Sequence, residues 1–305
     1  MPVKPNTLIS WAHRSWNPWV GCDKVAPECR VCYIFRDLRK QRRQPWGRIY
    51  QTNTWHEPIR LNREAERDGV VERIFTCSLS DFFHVGADSL RPAAWNIIRQ
   101  TRNLVWMILT KRPSRILKHL PPDWGQGWPN VWLGTTVGCR KSLPNLDVLR
   151  KIPIHPKAHR WISAEPLLED ISEDVNLAGF SWLACGGESG GAPGKDAEYM
   201  YDPSITLREE LKNTAGRRIM KIQWALNLRN KCLAQNVRFM FKQLTHTRSS
   251  FGVNALGRDW HEYPDHHLDG VPWRSQPPIA PKNIIPPEQI AALWAEEGIQ
   301  MATAQ

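Results

Sequence analysis

Three cysteines, Cys22, Cys29 and Cys32, fall within eleven residues of the stretch Trp16–Tyr33, WNPWVGCDKVAPECRVCY. Six residues separate the first pair and two the second. A two-residue gap lets neighbouring thiolates turn onto one metal centre, as both zinc and iron–sulfur sites require. Pro18, Gly21 and Pro27 disfavour regular structure here, which suits a loop folding round such a group. A structural zinc takes a fourth protein ligand, and the nearest candidates, His13 and His56, have no finger or ribbon spacing. A cubane on three cysteines instead leaves one iron open to a cofactor or substrate. On the residues alone a cluster, a zinc site and free core cysteines all stay open.

Further polar groups gather at the C-terminal ends of short apolar runs: Ser78, Ser80 and Asp81; Thr110 and Lys111; Thr135 and Thr136; Ser163 and Glu165; Glu188 and Ser189; Lys242 and Gln243. Each could be a cap or turn former, but their recurrence argues for a shared site. In CGGESGG (185–191), Gly186 and Gly187 let backbone approach a ligand closely, and Glu188 could hold ribose hydroxyls. A tight turn is the competing reading. The segment is neither a dinucleotide fingerprint nor a phosphate-binding loop. Glu165, fixed in extended geometry by Pro166, could bind ribose or accept a proton, or could pair with Lys111 or Lys242. Glu165 and Glu188 together would also serve as the acid/base pair of a hydrolase. In RDLRKQRRQ (36–44), Arg36, Lys40 and Arg43 share one helical face, either clamping phosphates or simply solvated. His261, His266 and His267 lack metal-ligand spacing and read as surface histidines.

The elements that must position these groups recur as strand-like runs at LISWA (8–12), RIFTCSLSD (73–81), VWMILTKR (105–112), VWLGTTV (131–137), HRWISAEP (159–166), SWLACGGESGG (181–191) and RFMFKQL (238–244). Helix-length segments such as RPAAWNIIRQTR and KIQWALNLRNKCLAQN lie between them. Near-continuous apolar strands alternating with helices indicate parallel βαβ units. About seven units predict a complete or partial β/α barrel, with a doubly wound open sheet as the rival. Residues 1–250 are expected to form the barrel and 251–305 an irregular extension that wraps it or covers its mouth. PPEQIAALWAEEGI should give a short terminal helix.

A chain of 305 residues, 41% hydrophobic, can bury a large core. No apolar run of about eighteen residues exists, and the N-terminus lacks the apolar core of a secretory signal, so a cytoplasmic protein is expected, with no membrane partner. Seven cysteines, three clustered and four scattered, do not suggest a disulfide framework. Forty-one Lys plus Arg against thirty Asp plus Glu leave a net charge of +11, which favours a polyanion such as DNA or RNA. Sixteen tryptophans could stack on bases or pack a core.

A three-cysteine loop after the first strand of a β/α barrel resembles the radical S-adenosylmethionine superfamily. The first gap is longer than that superfamily's usual one, and Val31, not an aromatic, precedes the third cysteine, with Tyr33 on its other side. The series WNPWVGC…C..CY, CSLSDFF, ILTKRP, WLGTTV, ISAEPL, GGESG, FKQL and LDGVPW also resembles a phage-associated three-cysteine family of unknown function, from about Trp16 to Trp273. The resemblance implies a barrel of radical-SAM type and a [4Fe–4S] cluster on Cys22, Cys29 and Cys32. It also implies S-adenosylmethionine as cofactor, with reductive cleavage to a 5′-deoxyadenosyl radical. The segment TCSLSD (76–81) would then meet the cofactor's amino group through its backbone carbonyls, Ser78, Ser80 or Asp81. Thr110, Lys111, Thr135, Glu165, Gly186, Gly187 and Glu188 would complete the cofactor site. Cys77, Glu165 and Tyr33 become the catalytic candidates, Cys77 as a hydrogen-atom donor unless it is packing. An electron donor such as flavodoxin or ferredoxin is implied, and a protein partner could complete the site. With the charge, the expected function is modification or repair of nucleic acid. The alternative is a zinc- or cluster-containing nucleic-acid-binding protein without catalysis.

Overall fold

The computed structural model describes residues 7, 9–35, 47–189, 217–246, 250–276 and 279–299. Seven parallel strands, β1 (Arg14–Ser15), β4 (Glu72–Thr76), β5 (Leu104–Thr110), β6 (Val131–Thr136), β7 (Arg160–Ala164), β8 (Trp182–Gly186) and β9 (Arg238–Gln243), lie side by side in chain order. Two short strands, β2 (Trp19–Val20) and β3 (Tyr50–Gln51), pair antiparallel beside them. Successive right-handed crossovers in an unreversed order put every helix on one face, so the sheet curls instead of doubling back. A doubly wound sheet would reverse its order at a switch point. The result is a partial β/α barrel whose edge strands are β1 and β9.

The period-two alternation of each strand sorts its side chains into two cores. Ile74, Trp106, Ile108, Val131, Leu133, Ile162, Leu183, Phe239 and Phe241 face outward against the helices α1 (Glu57–Arg67), α2 (Arg91–Gln100), α3 (Pro144–Arg150) and α4 (Ile222–Ala234). Phe75, Val105, Met107, Trp132, Trp161, Trp182, Ala184 and Met240 fill the interior with Trp11. The rings of Trp161 and Trp182 stand 5.1 Å apart, and Trp11 meets Trp161 edge-on at 5.3 Å. Gly134 makes this packing possible, because a Cβ there would lie 2.3 Å from the Trp161 ring. Eight tryptophans are fully buried, so much of the tryptophan content is packing.

Six of the seven expected runs are strands. LISWA is not: Ala12 N donates to Ile9 O, turning the chain so that Trp11 drops into the barrel, and the first strand is Arg14–Ser15. The segment after Phe251 wraps the barrel at the opposite end from the mouth. Met240 bridges to His261 and Val71 to Trp273, Trp182 Nε1 donates to Glu262 O (2.8 Å), and the Arg73 guanidinium stacks on Tyr263 at 3.8 Å. These contacts fall mostly at the N-terminal halves of the strands, so the described part of the extension plugs the barrel floor. The terminal helix α5 (Pro287–Glu296) forms as expected, and Glu297 after it caps the start of α4 through Ile222 N and Gln223 N. No helix among the described residues is long and apolar enough to cross a membrane.

Candidate active site at the barrel mouth

The inward parity that places Phe75, Met107, Trp161 and Met240 in the core continues past the strand ends to Cys77, Leu109, Lys111, Ser163, Glu165 and Lys242. These side chains, with the cysteine loop and Gly187–Ser189, line one cavity of 610 Å³ over a floor of Trp11, Phe75 and Leu109. That size suits a cofactor-sized ligand.

Cys22, Cys29 and Cys32 all line this cavity, and all seven cysteines are free thiols. A single 3-10 turn spans Pro27–Cys29, and Cys32 N then donates to Cys29 O (3.2 Å), bringing the last two cysteines together. Val20, Ile34 and Phe35 back the loop with an apolar cluster. Burial, Asp81 and the other two thiols push Cys22 up to about 12, although Arg112 opposes them. Burial and Cys29 push Cys32 up to about 11. Burial depresses the Lys111 ammonium, but Cys29, Glu28, Cys32 and Asp81 outweigh it and the net direction is upward. Arg112 Nη1 lies 3.8 Å from Cys22 Sγ.

Among the described residues no group of three or more His, Cys, Asp or Glu side chains is drawn together as a ready-made metal site. The donor chemistry nevertheless fits a thiolate-held cluster: three free thiols on one cavity, with cations beside them to offset negative charge. A fourth ligand for zinc is not at hand. His13 accepts from Arg73 N (2.7 Å) and pairs with Arg274 O (2.7 Å), His56 is exposed, and neither lines the cavity.

The segment 78–81 acts as a buttress. Asn17 Nδ2 donates to Ser78 Oγ (2.9 Å) and Leu79 N to Asn17 Oδ1 (2.8 Å). Ser80 Oγ donates to Gly21 O (2.5 Å), Gly21 N to Leu79 O (3.1 Å), and the Tyr33 hydroxyl to Ser78 O. Asp81, 5% exposed, accepts from Phe83 N (2.9 Å), Thr110 Oγ1 (2.7 Å), Lys111 N (2.9 Å) and Arg112 Nη1 (3.1 Å). It closes the turn and ties the β4 and β5 ends together. Cys77 lines the cavity, and burial pushes its thiol far up, with Thr76 Oγ1 at 3.2 Å.

Glu165 Oε2 accepts from Trp11 Nε1 (3.3 Å) and pairs with Lys242 Nζ (3.3 Å), so Lys242 and not Lys111 is its cation. Its Oε1 is buried with no partner, as is Ser163 Oγ, and both residues line the cavity. Glu188 also lines it, but Arg218 N donates to Oε2 (2.8 Å) and Arg218 Nε to Oε1 (2.8 Å). Both oxygens are thus engaged, which removes the second carboxylate a hydrolase would need. Thr110, Lys111 and Gly187 are at the cavity. Thr135 is not, because it has outward parity and donates to Thr110 O (2.9 Å), and Gly186 lies behind the lining. Arg36, Lys40 and Arg43 fall outside the described residues. His267 bonds to Arg102 O (2.6 Å) and His266 packs on Trp273.

Sequence reasoning passed over Glu28, Asn17 and Arg112. Glu28, 4% exposed, lines the cavity from within the cysteine loop. Its Oε1 accepts from Gly138 N (2.9 Å) and Ser142 Oγ (2.6 Å), pinning the loop to the turn after β6, while Oε2 is buried without a partner. A buried acidic residue between two cysteines was the only available signal.

No curated protein matches the chain. Solved structures of spore photoproduct lyase are similar in backbone course: a cysteine-to-serine variant has a TM-score of 0.47 and 14% identity over 75% of this chain and 77% of that one. A variant with bound AdoMet and dinucleoside spore photoproduct has a TM-score of 0.46 and 14% identity over 75% and 76%. Residues 6–202 match the sequence pattern of the family described as "Protein of unknown function (DUF5131)", and the chain belongs to that family.

Proposed function

We propose that this chain is an iron–sulfur, S-adenosylmethionine-dependent radical enzyme acting on nucleic acid, with Cys22, Cys29 and Cys32 as the cluster ligands. The observation that carries the reading is the convergence of three free thiols and the inward strand ends on one cavity. When bound, a four-iron cluster open at one iron would deliver an electron to S-adenosylmethionine, releasing a 5′-deoxyadenosyl radical that takes hydrogen from the substrate.

The chain's own groups would bind, orient and protect. Lys111 and Arg112 set positive charge against the thiolates. Ser163 Oγ and Glu165 Oε1 are buried acceptors free for ligand hydroxyls, and Trp11 with Lys242 fixes the Glu165 carboxylate in place. Trp11, Phe75 and Leu109 form a floor that keeps water from a reactive intermediate. Cys77 stays protonated at neutral pH, the form in which a thiol donates a hydrogen atom. The Tyr33 hydroxyl serves to orient the loop through Ser78. The net charge of +11 supports a polyanionic substrate.

Metal analysis of anaerobically purified protein tests the reading. About four irons and as many sulfides per chain, with a brown absorbance, are expected. Stoichiometric zinc would sink it in favour of a non-catalytic zinc protein.

A further inference from the structure

The cavity holds a negative charge that its surroundings do not answer. Glu28 is 4% exposed, and its Oε1 is fixed by Gly138 N and Ser142 Oγ, with Cys139 Sγ at 3.7 Å. Those three contacts lock the carboxylate in one orientation, so Oε2 cannot turn to find a donor, and it has none. Lys111 raises the local positive potential but reaches no carboxylate within ion-pair distance among the described residues. A buried carboxylate oxygen without a hydrogen-bond donor is costly enough that one is expected from a ligand.

The segment 76–81, expected to meet an amino group, has little left to offer. Ser78 O, Leu79 O and Asp81 O already accept from Tyr33, Gly21 and His84, the Ser78 and Ser80 hydroxyls are committed to Asn17 and Gly21, and Asp81 serves four donors. The acceptor left on the cysteine side of the cavity is Glu28 Oε2, one residue before Cys29. Glu165 Oε1 and Ser163 Oγ lie on the strands β7 and beyond, over the tryptophan floor.

We infer that Glu28 is the binding residue for a protonated amine on the ligand, held beside the thiols by charge-assisted hydrogen bonding to Oε2. This rests on the proposed function, under which the amine is that of the cofactor's amino-acid end. Glu28 therefore has two roles split between its oxygens. Oε1 positions the cysteine loop and Oε2 reads the ligand.

The test is calorimetric binding of S-adenosylhomocysteine and of its deaminated analogue, which differ only in the amine, to anaerobically purified protein. Glu28→Gln keeps the Oε1 acceptor and the shape but puts an amide in place of Oε2. Wild type should prefer the amine by about ten- to a hundredfold, the value of a charge-assisted bond. Glu28→Gln should abolish that preference with the analogue's affinity unchanged, and Glu28→Asp should restore part of it. A preference that survives in Glu28→Gln overturns the inference and leaves the proposed function standing. Loss of affinity for both ligands alike overturns it too, assigning Glu28 to loop positioning alone. If wild type binds neither ligand, the proposed function itself fails.

Discussion

Asp81→Ala should be among the most damaging single changes at the mouth. Its carboxylate accepts from two backbone N–H groups, the Thr110 hydroxyl and the Arg112 guanidinium at 2.7–3.1 Å, and it is 5% exposed. Alanine leaves all four donors without this acceptor and strips the Arg112 cation of its partner. Breaking a buried ion pair from one side costs about 3–5 kcal/mol. Unfolding entropy of about 2.1 cal/mol/K per residue makes the chain melt with about 0.64 kcal/mol/K, so a 4 kcal/mol loss should lower Tm by about 6 °C. Asp81→Asn keeps one acceptor oxygen and should fall between. The assay is thermal unfolding followed by circular dichroism, with the urea midpoint as a check on the same variants. A drop below about 1 °C for Asp81→Ala would refute the hub role, since surface changes alone stay within about 0.5 kcal/mol.

Other expectations test separate contacts. Burial and then Arg73 hold His13 down at about 2, so the unfolded chain binds the proton that the folded chain refuses. This contribution is full above pH 6.5 and is lost as pH falls, by about 1.4 kcal/mol per pH unit, so urea midpoints from pH 7 to 5 should slope less in His13→Asn. An unchanged slope would contradict the buried neutral ring. Gly138→Ala places a Cβ 1.9 Å from Pro166 O, and about 3 kcal/mol of destabilisation is expected in the urea midpoint. Arg112→Gln removes a cation from beside Cys22, so iron retained per chain should fall further than in the exposed-pair control Arg99→Gln. For the nucleic-acid substrate, affinity should drop steeply with salt in a filter-binding or anisotropy titration, and a flat response would count against it.

Much of the fold was legible because the strands carry their burial in their own composition: VWMILT reads as buried on both faces, and it is. The parity of each strand then extends to its polar end, which is why Lys111, Ser163, Glu165 and Lys242 reach the cavity while Thr135 turns away. Parity was written in the sequence, but the direction of the first inward residue was not. LISWA failed as a strand because Trp11 gains more from filling the barrel than from extending a sheet edge. Glu28 and Asp81 were legible only as a loop residue and a turn former, since their partners stand far away in the chain: Gly138 and Ser142 for Glu28, Thr110 and Arg112 for Asp81. Glu188 looked like a ligand group until Arg218, thirty residues on, took both its oxygens.

The most direct test of the central claim is to incubate the anaerobically reconstituted protein with S-adenosylmethionine and a strong reductant and to quantify 5′-deoxyadenosine by chromatography. The account predicts release from wild type and from Cys232→Ala, whose thiol is buried away from the cavity, and none from Cys22→Ala, Cys29→Ala or Cys32→Ala. No 5′-deoxyadenosine from wild type, or equal release from the three loop variants, would contradict it.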